Sequence, residues 1–353
     1  RYYKTPAAVF RSFDAKGQML VIGLIVLFAI GALGILFSLN RQILVPVAAQ
    51  GGGLVEGVVG TPRFANPLLA VSDADRDLTS LVYSGLLRMG TNSKLIPDLA
   101  ESYQVSPDGL IYTFVLRRGL TWHDGKPITT DDIEFTIQKA QDPRVKSTRR
   151  AGWEGVRVEK VTTREIRFHL KQSYATFLDT TTMGILPKHL WKDVTPETLA
   201  LNELNLSGVG SGPYKVKTVK KDGDGVPLYY ELEPFKEFTL GRPKLDNLII
   251  RFYPGEKDLI ESYKRGEIES LAAITPELAK GLAVAGARVE TAPLPRVFAV
   301  FFNQSEAPIF TNIAVREALS LSAPREEIIK EVLKGYGEAI DGPLPPGAIG
   351  GSP

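Results

Sequence analysis

Three histidines and a few carboxylates are the side chains best suited to catalysis or metal binding in this 353-residue sequence. His123, His169 and His189 lie far apart, and none has a partner at the H-x-x-x-H or H-E-x-x-H spacing of a metal site. Asp124 and the Asp131-Asp132 pair have acid–base chemistry, but turn and helix-capping roles account for them. We therefore expect structural roles for all of these residues, with no catalytic site and no metal site.

The segment Gly208-Val209-Gly210-Ser211-Gly212 has the glycine spacing of a phosphate-binding loop. Such a loop opens a helix whose N–H groups point at the phosphate, whereas the following Pro213-Tyr214-Lys215-Val216 predicts a strand. No G-x-S-x-G nucleophile motif occurs, and the absence of cysteine excludes thiolate chemistry and disulfides. The sequence therefore predicts a protein that is not an enzyme and needs no cofactor.

The charge distribution argues against a nucleic-acid partner. Residues 1–50 carry five basic side chains and one acidic side chain, and the remainder carries 37 basic and 39 acidic ones. A nucleic-acid-binding protein normally shows a concentrated basic face. With 44% hydrophobic and 23% charged residues, the composition is that of a globular chain with sizeable cores.

A 21-residue stretch without charge, Met19 to Leu39, predicts one transmembrane helix. As a helix it spans roughly 31 Å, about the hydrocarbon core of a bilayer. Basic residues concentrate before it, so we expect residues 1–18 in the cytoplasm and the bulk of the chain outside. Residues 40–53, which end in three glycines, are predicted to be a flexible linker.

A cleaved signal peptide is the alternative to this anchor. Val47-Ala48-Ala49 offers small residues of the kind that signal peptidase accepts. The apolar run, however, exceeds the usual ~7–15 residues of a signal sequence, and the candidate cleavage site lies well past its end. The sequence favours an uncleaved anchor.

The elements that would position any site are clearest in the stretch from Pro107 to Pro143. Tyr112, Phe114 and Leu116 alternate with polar or smaller residues, which predicts a half-buried strand. Thr129 and Asp132 form a helix-start pair, and the helix should end at Asp142-Pro143. Further strands are predicted within 54–59, 156–171, 228–233 and 248–253, and helices at 257–264 and after Pro324.

The residue pattern of this stretch resembles a motif of the family 5 extracellular solute-binding proteins. These are the peptide-, dipeptide- and nickel-binding components of ABC-type importers. The matching positions are Pro97, Leu99-Ala100-Glu101-Ser102, Asp108-Gly109, Tyr112, Phe114, Leu116-Arg117, Gly119, Trp122-His123-Asp124-Gly125, Pro127-Ile128-Thr129 and Asp132-Ile133. Shorter matches continue at Asn66-Pro67, Val82–Leu87, Leu186–His189, Gly210–Tyr214 and Val297–Asn303, so the resemblance covers about residues 51–347.

The resemblance implies an α/β, two-lobe fold of the type II periplasmic-binding-protein class that follows the membrane helix. Residues 54–296 would form the first lobe, and 297–353 the crossover strand and the start of a second lobe. Most of that second lobe would follow beyond residue 353, so we expect the sequence to be part of a longer protein. The residue that pairs with a peptide's amino terminus would lie there too.

The function implied is capture of di- or oligopeptides outside the membrane and their delivery to an ABC permease with its ATPase subunits. A nickel or metal-chelate binder of the same fold, and a membrane-anchored sensor without transport, remain alternatives. Arg63 could meet a ligand carboxylate or be a solvated loop arginine, and Phe302 could stack on the ligand or pack in a core. The predicted ligand-binding residues are Val58, Val59, Gly60, Thr61, Arg63, Phe301, Phe302 and Asn303.

Overall fold

The structure, a computed structural model, divides into two units, residues 1–49 and residues 50–353. The residues it describes are 9–43, 49–90, 94–174, 176–291, 297–340 and 342.

The first unit contains one long helix, α1 (Ala15–Ile43). The Asp14 carboxylate caps its start by accepting the backbone N–H of Gly17 at 3.0 Å. Within α1, Ala15–Phe37 is 23 residues long and apolar enough to cross a membrane. A helix that is apolar on every face needs an apolar surrounding, which agrees with the predicted span.

The predicted linker at 40–53 is only partly irregular. Residues 40–43 continue α1, and the first strand already begins at Gly53. Residues 44–48, which include Val47 and Ala48 of the alternative cleavage site, lie outside the described residues.

The second unit is built from strands and short helices. Its described strands are β1 (Gly53–Val59), β2 (Leu87–Met89), β3 (Leu95–Pro97), β4 (Ala100–Val105), β5 (Ile111–Leu116), β6 (Arg157–Lys160), β7 (Glu165–His169), β8 (Tyr214–Lys221), β9 (Pro227–Pro234), β10 (Asn247–Tyr253) and β11 (Ser270–Ala272). Its described helices are α2 (Asp73–Val82), α3 (Thr130–Gln141), α4 (Arg150–Trp153), α5 (Phe177–Thr180), α6 (Lys188–Trp191), α7 (Glu256–Lys264), α8 (Pro276–Val284), α9 (Ile313–Ser322) and α10 (Arg325–Glu331).

One sheet has five strands in the order β11-β1-β10-β9-β8. Strand β1 lies parallel to both β10 and β11, while β8, β9 and β10 pair antiparallel. Gly57 of β1 leaves room for Leu259 of α7, because a Cβ at this position would overlap the leucine side chain. Helix α7 therefore packs directly on the sheet while it connects β10 to β11.

A second sheet is antiparallel, with the order β4-β5-β7-β6. Tyr112, Phe114 and Leu116 of β5 are buried, so the predicted alternation is confirmed. Helix α3 covers this part of the fold and begins as predicted: the Asp132 carboxylate accepts the N–H of Thr129 at 2.9 Å, and the Thr129 side chain caps the first turn.

Aromatic side chains fill the core beneath the second sheet. The ring of Phe177 lies 4.7 Å from Tyr112, 5.6 Å from Trp153 and 6.0 Å from Phe168, measured between centroids. The rings meet at steep angles, the arrangement that aromatic quadrupoles favour. This cluster fixes α4 and α5 against β5 and β7.

His123 connects the two sheets through the glycine-rich segment before β8. Its backbone N–H donates to the carbonyl of Gly210 at 2.8 Å, and its Nδ1 accepts the N–H of Gly210 at 3.2 Å. Its Nε2 donates to the carbonyl of Gly212 at 3.0 Å. Burial lowers the pKa of His123 to about 4, so the ring is neutral at pH 7. This role is structural, as the sequence predicts.

The glycines at 208, 210 and 212 allow a close approach of two backbones. Gly212 donates its N–H to the carbonyl of Val82 at 2.8 Å, and a Cβ at Gly210 would overlap that same carbonyl. The strand β8 then begins at Tyr214. The segment is therefore a packing joint against the end of α2, and the expected strand after it is confirmed.

The resemblance implies a crossover strand that includes Phe301–Asn303, but the structure assigns no strand to these residues and leaves Phe301 91% exposed. The helix expected after Pro324 is present as α10, and its apolar residues Ile328 and Val332 are 47% and 66% exposed. Apolar side chains are buried only where another element covers them. No described residue of 297–340 is buried.

Candidate ligand-binding site

The carboxyl ends of three parallel strands meet at one edge of the five-stranded sheet. Strand β1 ends at Val59, β10 at Tyr253 and β11 at Ala272. Ligands of open α/β sheets bind in the crevice outside such ends. Ala273, directly after β11, has a φ of 52°, a conformation that costs energy for a residue with a side chain and that clusters at binding sites. The topology therefore defines a candidate binding edge.

The first group of predicted ligand-binding residues lies at this edge. Val58 is buried and Val59 half-buried at the end of β1. Gly60 then turns the chain with a φ of 94°, a left-handed conformation that favours glycine. Its N–H donates to the carbonyl of Tyr253 at 2.8 Å, which ties the start of the loop to the end of β10.

The loop from residue 60 to residue 72 carries the charged member of this group. Thr61 is half-buried, and Arg63 is exposed. The Arg63 guanidinium lies over the ring of Phe64, 5.5 Å from its centroid. A cation–π contact restricts the guanidinium without using its N–H donors. Arg63 is thus held at the edge, and its guanidinium forms no hydrogen bond with another described residue.

Asp75, in the first turn of α2, fixes this loop at both of its ends. One carboxylate oxygen accepts the backbone N–H of Arg63 at 2.7 Å and of Phe64 at 3.0 Å. The other oxygen accepts the N–H of Val71 at 3.1 Å and of Ser72 at 3.0 Å. Asp75 is 2% exposed, so these bonds are shielded from water. A single side chain thereby sets the path of the candidate binding loop.

The ionised form of Asp75 is the form that these four donors favour. Burial by itself raises the pKa of Asp75, but the four backbone N–H groups lower it further than burial raises it, and the net pKa lies below its ordinary value. The carboxylate is therefore charged at neutral pH, and its oxygens accept hydrogen bonds from backbone donors of the loop.

A pair of buried amides fixes the middle of the same loop. The Asn66 side chain donates to Oδ1 of Asn205 at 2.9 Å and accepts the N–H of Leu68 at 2.9 Å. The backbone N–H of Ala65 donates to the Asn205 carbonyl at 2.6 Å. Both asparagines are at most 2% exposed. Buried amides with satisfied partners specify one geometry.

Two arginines outside the predicted residues lie on elements that contact this loop, Arg76 in the first turn of α2 and Arg149 directly before α4. Arg76 pairs with Asp73 at 2.7 Å. Arg149 lies on a segment held against the loop, because the Ser147 hydroxyl donates to the carbonyl of Leu68 at 2.8 Å. Ser72 and Asp75 match a capping-box spacing that predicts the start of α2, but no sequence signal places Ser147 and Thr148 against the loop.

The second predicted group is engaged with its own segment. The ring of Phe302 lies 5.0 Å from that of Phe310, between centroids, and the Asn303 side chain accepts the N–H groups of Ser305 and Glu306 at 3.1 and 3.2 Å. Phe301 is exposed. A ligand role for these three residues stays a prediction.

The remaining chemically capable residues have structural partners. His189 contacts Asp124 at 2.7 Å, and His169 contacts Glu159 at 2.6 Å. Asp131 pairs with Lys160 at 2.6 Å. His169 and Glu159 lie on β7 and β6, Asp131 and Lys160 lie on α3 and β6, and His189 lies on α6.

The chain is similar in sequence to known binding proteins. Residues 94–353 match the family model of bacterial extracellular solute-binding proteins, family 5. The oligopeptide-binding protein AppA of Bacillus subtilis (strain 168) is 30% identical over 295 residues, which is 82% of this chain and 53% of AppA. The chain therefore spans about half the length of the curated relatives it matches.

Solved structures agree with this similarity. AppA in complex with a nonapeptide matches with a TM-score of 0.66 and 30% identity over 85% of this chain and 59% of that chain. CtaP of Listeria monocytogenes, an ABC transporter substrate-binding protein, matches with 0.65 and 31% over 80% and 56%. NikZ of Campylobacter jejuni in complex with Ni(L-His) matches with 0.64 and 29% over 85% and 58%. The expected family and fold are confirmed: the chain belongs to the family 5 bacterial extracellular solute-binding proteins.

Proposed function

We propose that the intact protein captures di- or oligopeptides outside the cytoplasmic membrane and delivers them to the permease of an ABC-type importer. The observation that carries this proposal is the carboxyl edge of the five-stranded sheet with its fixed loop, in a chain that resembles AppA bound to a nonapeptide. The family binds solutes, so binding, and not catalysis, is the activity proposed.

The edge offers the groups that an extended peptide requires. Main-chain contacts give affinity without side-chain preference, and charged groups recognise the free termini. Val58–Arg63 supplies backbone at the end of β1 and one exposed guanidinium. Phe301–Asn303 would contribute from the crossover to a second lobe, which would close on the ligand by hinge motion.

The long apolar helix α1 supports attachment of this protein to the membrane. Ala15–Phe37 spans roughly 35 Å as a helix, enough for a bilayer core. Attachment through residues 19–39 would hold the binding domain at high local concentration beside the permease. Mass spectrometry of the mature protein tests this: a chain that begins near Gln50 would show a cleaved signal sequence instead of an anchor.

A thermal-shift screen of the complete protein, from which only residues 1–49 are removed, tests the ligand class. Peptides of two to six residues should raise the melting temperature, because a ligand that binds only the folded form stabilises it by mass action. At a peptide concentration 100 times Kd, the stabilisation is about 2.7 kcal/mol. No shift with any peptide would contradict peptide binding.

The similarity to NikZ favours one alternative ligand, a nickel chelate. The same screen therefore includes nickel with and without L-histidine, and a shift with the chelate alone would identify a metal chelate, not a peptide, as the ligand.

The other alternative, a membrane-anchored sensor, binds the same ligand without transport. Uptake of labelled peptide by cells that contain or lack the protein separates a sensor from a transport component, since removal of a sensor leaves uptake unchanged.

A further inference from the structure

We propose that Glu256 is a positioning residue for ligand binding, because it holds the loop that follows β11 in the conformation that presents its backbone to the ligand. This inference rests on the proposed peptide-binding function. It adds a third contact segment, residues 273–275, to the two predicted groups. Glu256 acts through Thr275 and Ala273 and does not itself contact the ligand.

Glu256 lies at the carboxyl edge of the five-stranded sheet. It is the first residue of α7 and comes three residues after the end of β10. Its Oε1 accepts the backbone N–H of Thr275 at 2.8 Å, and its Oε2 accepts a hydrogen bond from the Thr275 hydroxyl at 3.1 Å. Thr275 directly precedes α8, but its side chain forms no capping hydrogen bond with that helix. Glu256 therefore joins the loops that follow β10 and β11.

The loop that follows β11 is fixed at both of its ends. At one end, Ala272 pairs with Val58 in the parallel register of β11 and β1. At the other end, Glu256 holds Thr275 at two points. Ala273 lies between these ends with a φ of 52°. A non-glycine residue keeps such a conformation only where the surrounding structure over-determines it, so the two fixed ends together account for the strained backbone.

The strained residue lies beside the loop that already contains the first predicted group. Since Val58 pairs with Ala272, the two chains leave the sheet within two residues of this pair, at Gly60 and at Ala273. Both residues have a positive φ, 94° at Gly60 and 52° at Ala273. Two neighbouring strands thus turn at the same point of the carboxyl edge, where ligands of open α/β sheets bind.

The contact that Ala273 can offer is a main-chain contact. Ala273 is exposed, and its side chain is a single methyl group without hydrogen-bonding atoms. Main-chain hydrogen bonds hold an extended peptide without a preference for its side chains. The ligand group recognised at this point is therefore the main chain of the peptide, its N–H and C=O groups.

Calorimetric titration of the complete protein with trialanine and hexaalanine, far below the melting temperature, tests the proposal. These probes carry main-chain groups with a minimal side chain. Glu256→Ala should weaken binding about three- to tenfold, the value of one hydrogen bond, because Ala273 is then free to leave its strained conformation. A residue that only stabilises the fold would lower the melting temperature and leave the affinity of the folded protein unchanged.

Conservative substitutions separate the geometry of Glu256 from its charge. Glu256→Gln keeps an oxygen acceptor for the Thr275 N–H, so it should retain most of the affinity. Thr275→Val removes only the hydroxyl contact and should have an intermediate effect. Glu261→Ala is the control on the same helix, because the Glu261 side chain is 52% exposed and lies 4.0 Å from Arg265. It should bind both peptides like the unaltered protein.

Ala273→Gly tests the link between Glu256 and the strained residue. Glycine adopts a positive φ without the cost that a Cβ imposes, so the loop can populate the binding conformation without Glu256. The protein that carries both Glu256→Ala and Ala273→Gly should therefore bind the peptides more tightly than Glu256→Ala alone.

Two results would overturn the role of Glu256 alone: unchanged affinity for both peptides in Glu256→Ala, or no gain when Ala273→Gly is added to it. Failure of both peptides to bind the unaltered protein would instead overturn the proposed function, and the role of Glu256 with it.

Discussion

The backbone N–H of Arg63 donates a 2.7 Å hydrogen bond to the carboxylate of Asp75, twelve residues along the chain. Through this contact, the first turn of a helix controls the geometry of a loop at the carboxyl edge of the sheet. Arg63 belongs to the predicted ligand-binding residues, whereas the Asp75 carboxylate accepts four backbone N–H groups and acts through the backbone. Asp75 is therefore a positioning residue.

We expect Asp75→Asn to lower both stability and ligand affinity. The asparagine keeps the size of the side chain but has one acceptor oxygen in place of two, so at least one pair of loop N–H groups loses its partner. Unpaired buried donors cost about 1–3 kcal/mol, and we expect the free energy of unfolding in urea to fall by about 2 kcal/mol. Peptide affinity should fall as well, because the loop loses one anchor.

Asp131→Asn is the matched control for this change. Asp131 also lies in the first turn of a helix, but its side chain is 53% exposed and pairs with Lys160. Exposed pairs contribute about 0–1 kcal/mol, so both stability and affinity should stay close to those of the unaltered protein. Equal effects of the two substitutions would contradict the positioning role.

Acid should weaken the fold through His123. Burial lowers the pKa of His123 to about 4, from 6.5 in an unfolded chain. Between pH 6.5 and pH 4 the unfolded chain binds a proton that the folded chain does not, so stability falls as the pH falls through this window. The loss amounts to at most about 3.4 kcal/mol.

Urea denaturation at pH 7.5 and pH 4.5 measures this effect in the unaltered protein and in His123→Gln. Glutamine keeps one donor and one acceptor but does not titrate, so the variant should lose less stability between the two pH values. An equal loss in both proteins would assign the acid sensitivity to other groups. The Asp75 carboxylate acts at a lower pH. Its pKa in the folded protein lies below the ordinary value of 3.8, so its contribution to stability is complete above that pH and is lost as the pH falls through the lowered pKa.

Local patterns account for the elements that the sequence predicts well. The alternation of Tyr112, Phe114 and Leu116 predicts which side of β5 faces the core. Thr129 with Asp132 predicts the start of α3. Both patterns can be recognised in the sequence because each involves only neighbouring residues. The family resemblance then supplies the fold class. Neither kind of signal reports contacts between distant segments.

The candidate site depends on such distant contacts. Strand β1 pairs with β10, almost two hundred residues later, and only this pairing creates the carboxyl edge. Ser147 and Thr148 hold their segment against the loop by hydrogen bonds to the carbonyls of Leu68 and Ala70, and any residue could supply such carbonyls. The family resemblance implies a crossover strand at Phe301–Asn303, but a strand also needs a partner to pair with, and these residues alone do not specify one.

Gly210→Ala should severely destabilise the protein. The added methyl group would overlap the carbonyl of Val82, so the joint between α2 and the segment before β8 must open. Overpacking of a tight site costs typically 1–3 kcal/mol, and here rigid backbone leaves little room to relax, so we expect about 3 kcal/mol. Gly223→Ala is the control, because its Cβ meets open space. Comparable urea midpoints for the two variants would contradict this packing role.

Cysteine labelling should show that the two ends of α1 lie on opposite sides of the membrane. The sequence contains no cysteine, so Ser12→Cys and Ser207→Cys each create a single thiol, before the apolar helix and on the exposed surface of the binding domain. Basic residues flank the start of α1, which favours a cytoplasmic amino terminus. In intact cells a membrane-impermeant maleimide should therefore label Ser207→Cys alone, and detergent should expose both. Labelling of Ser12→Cys from outside would reverse the proposed topology.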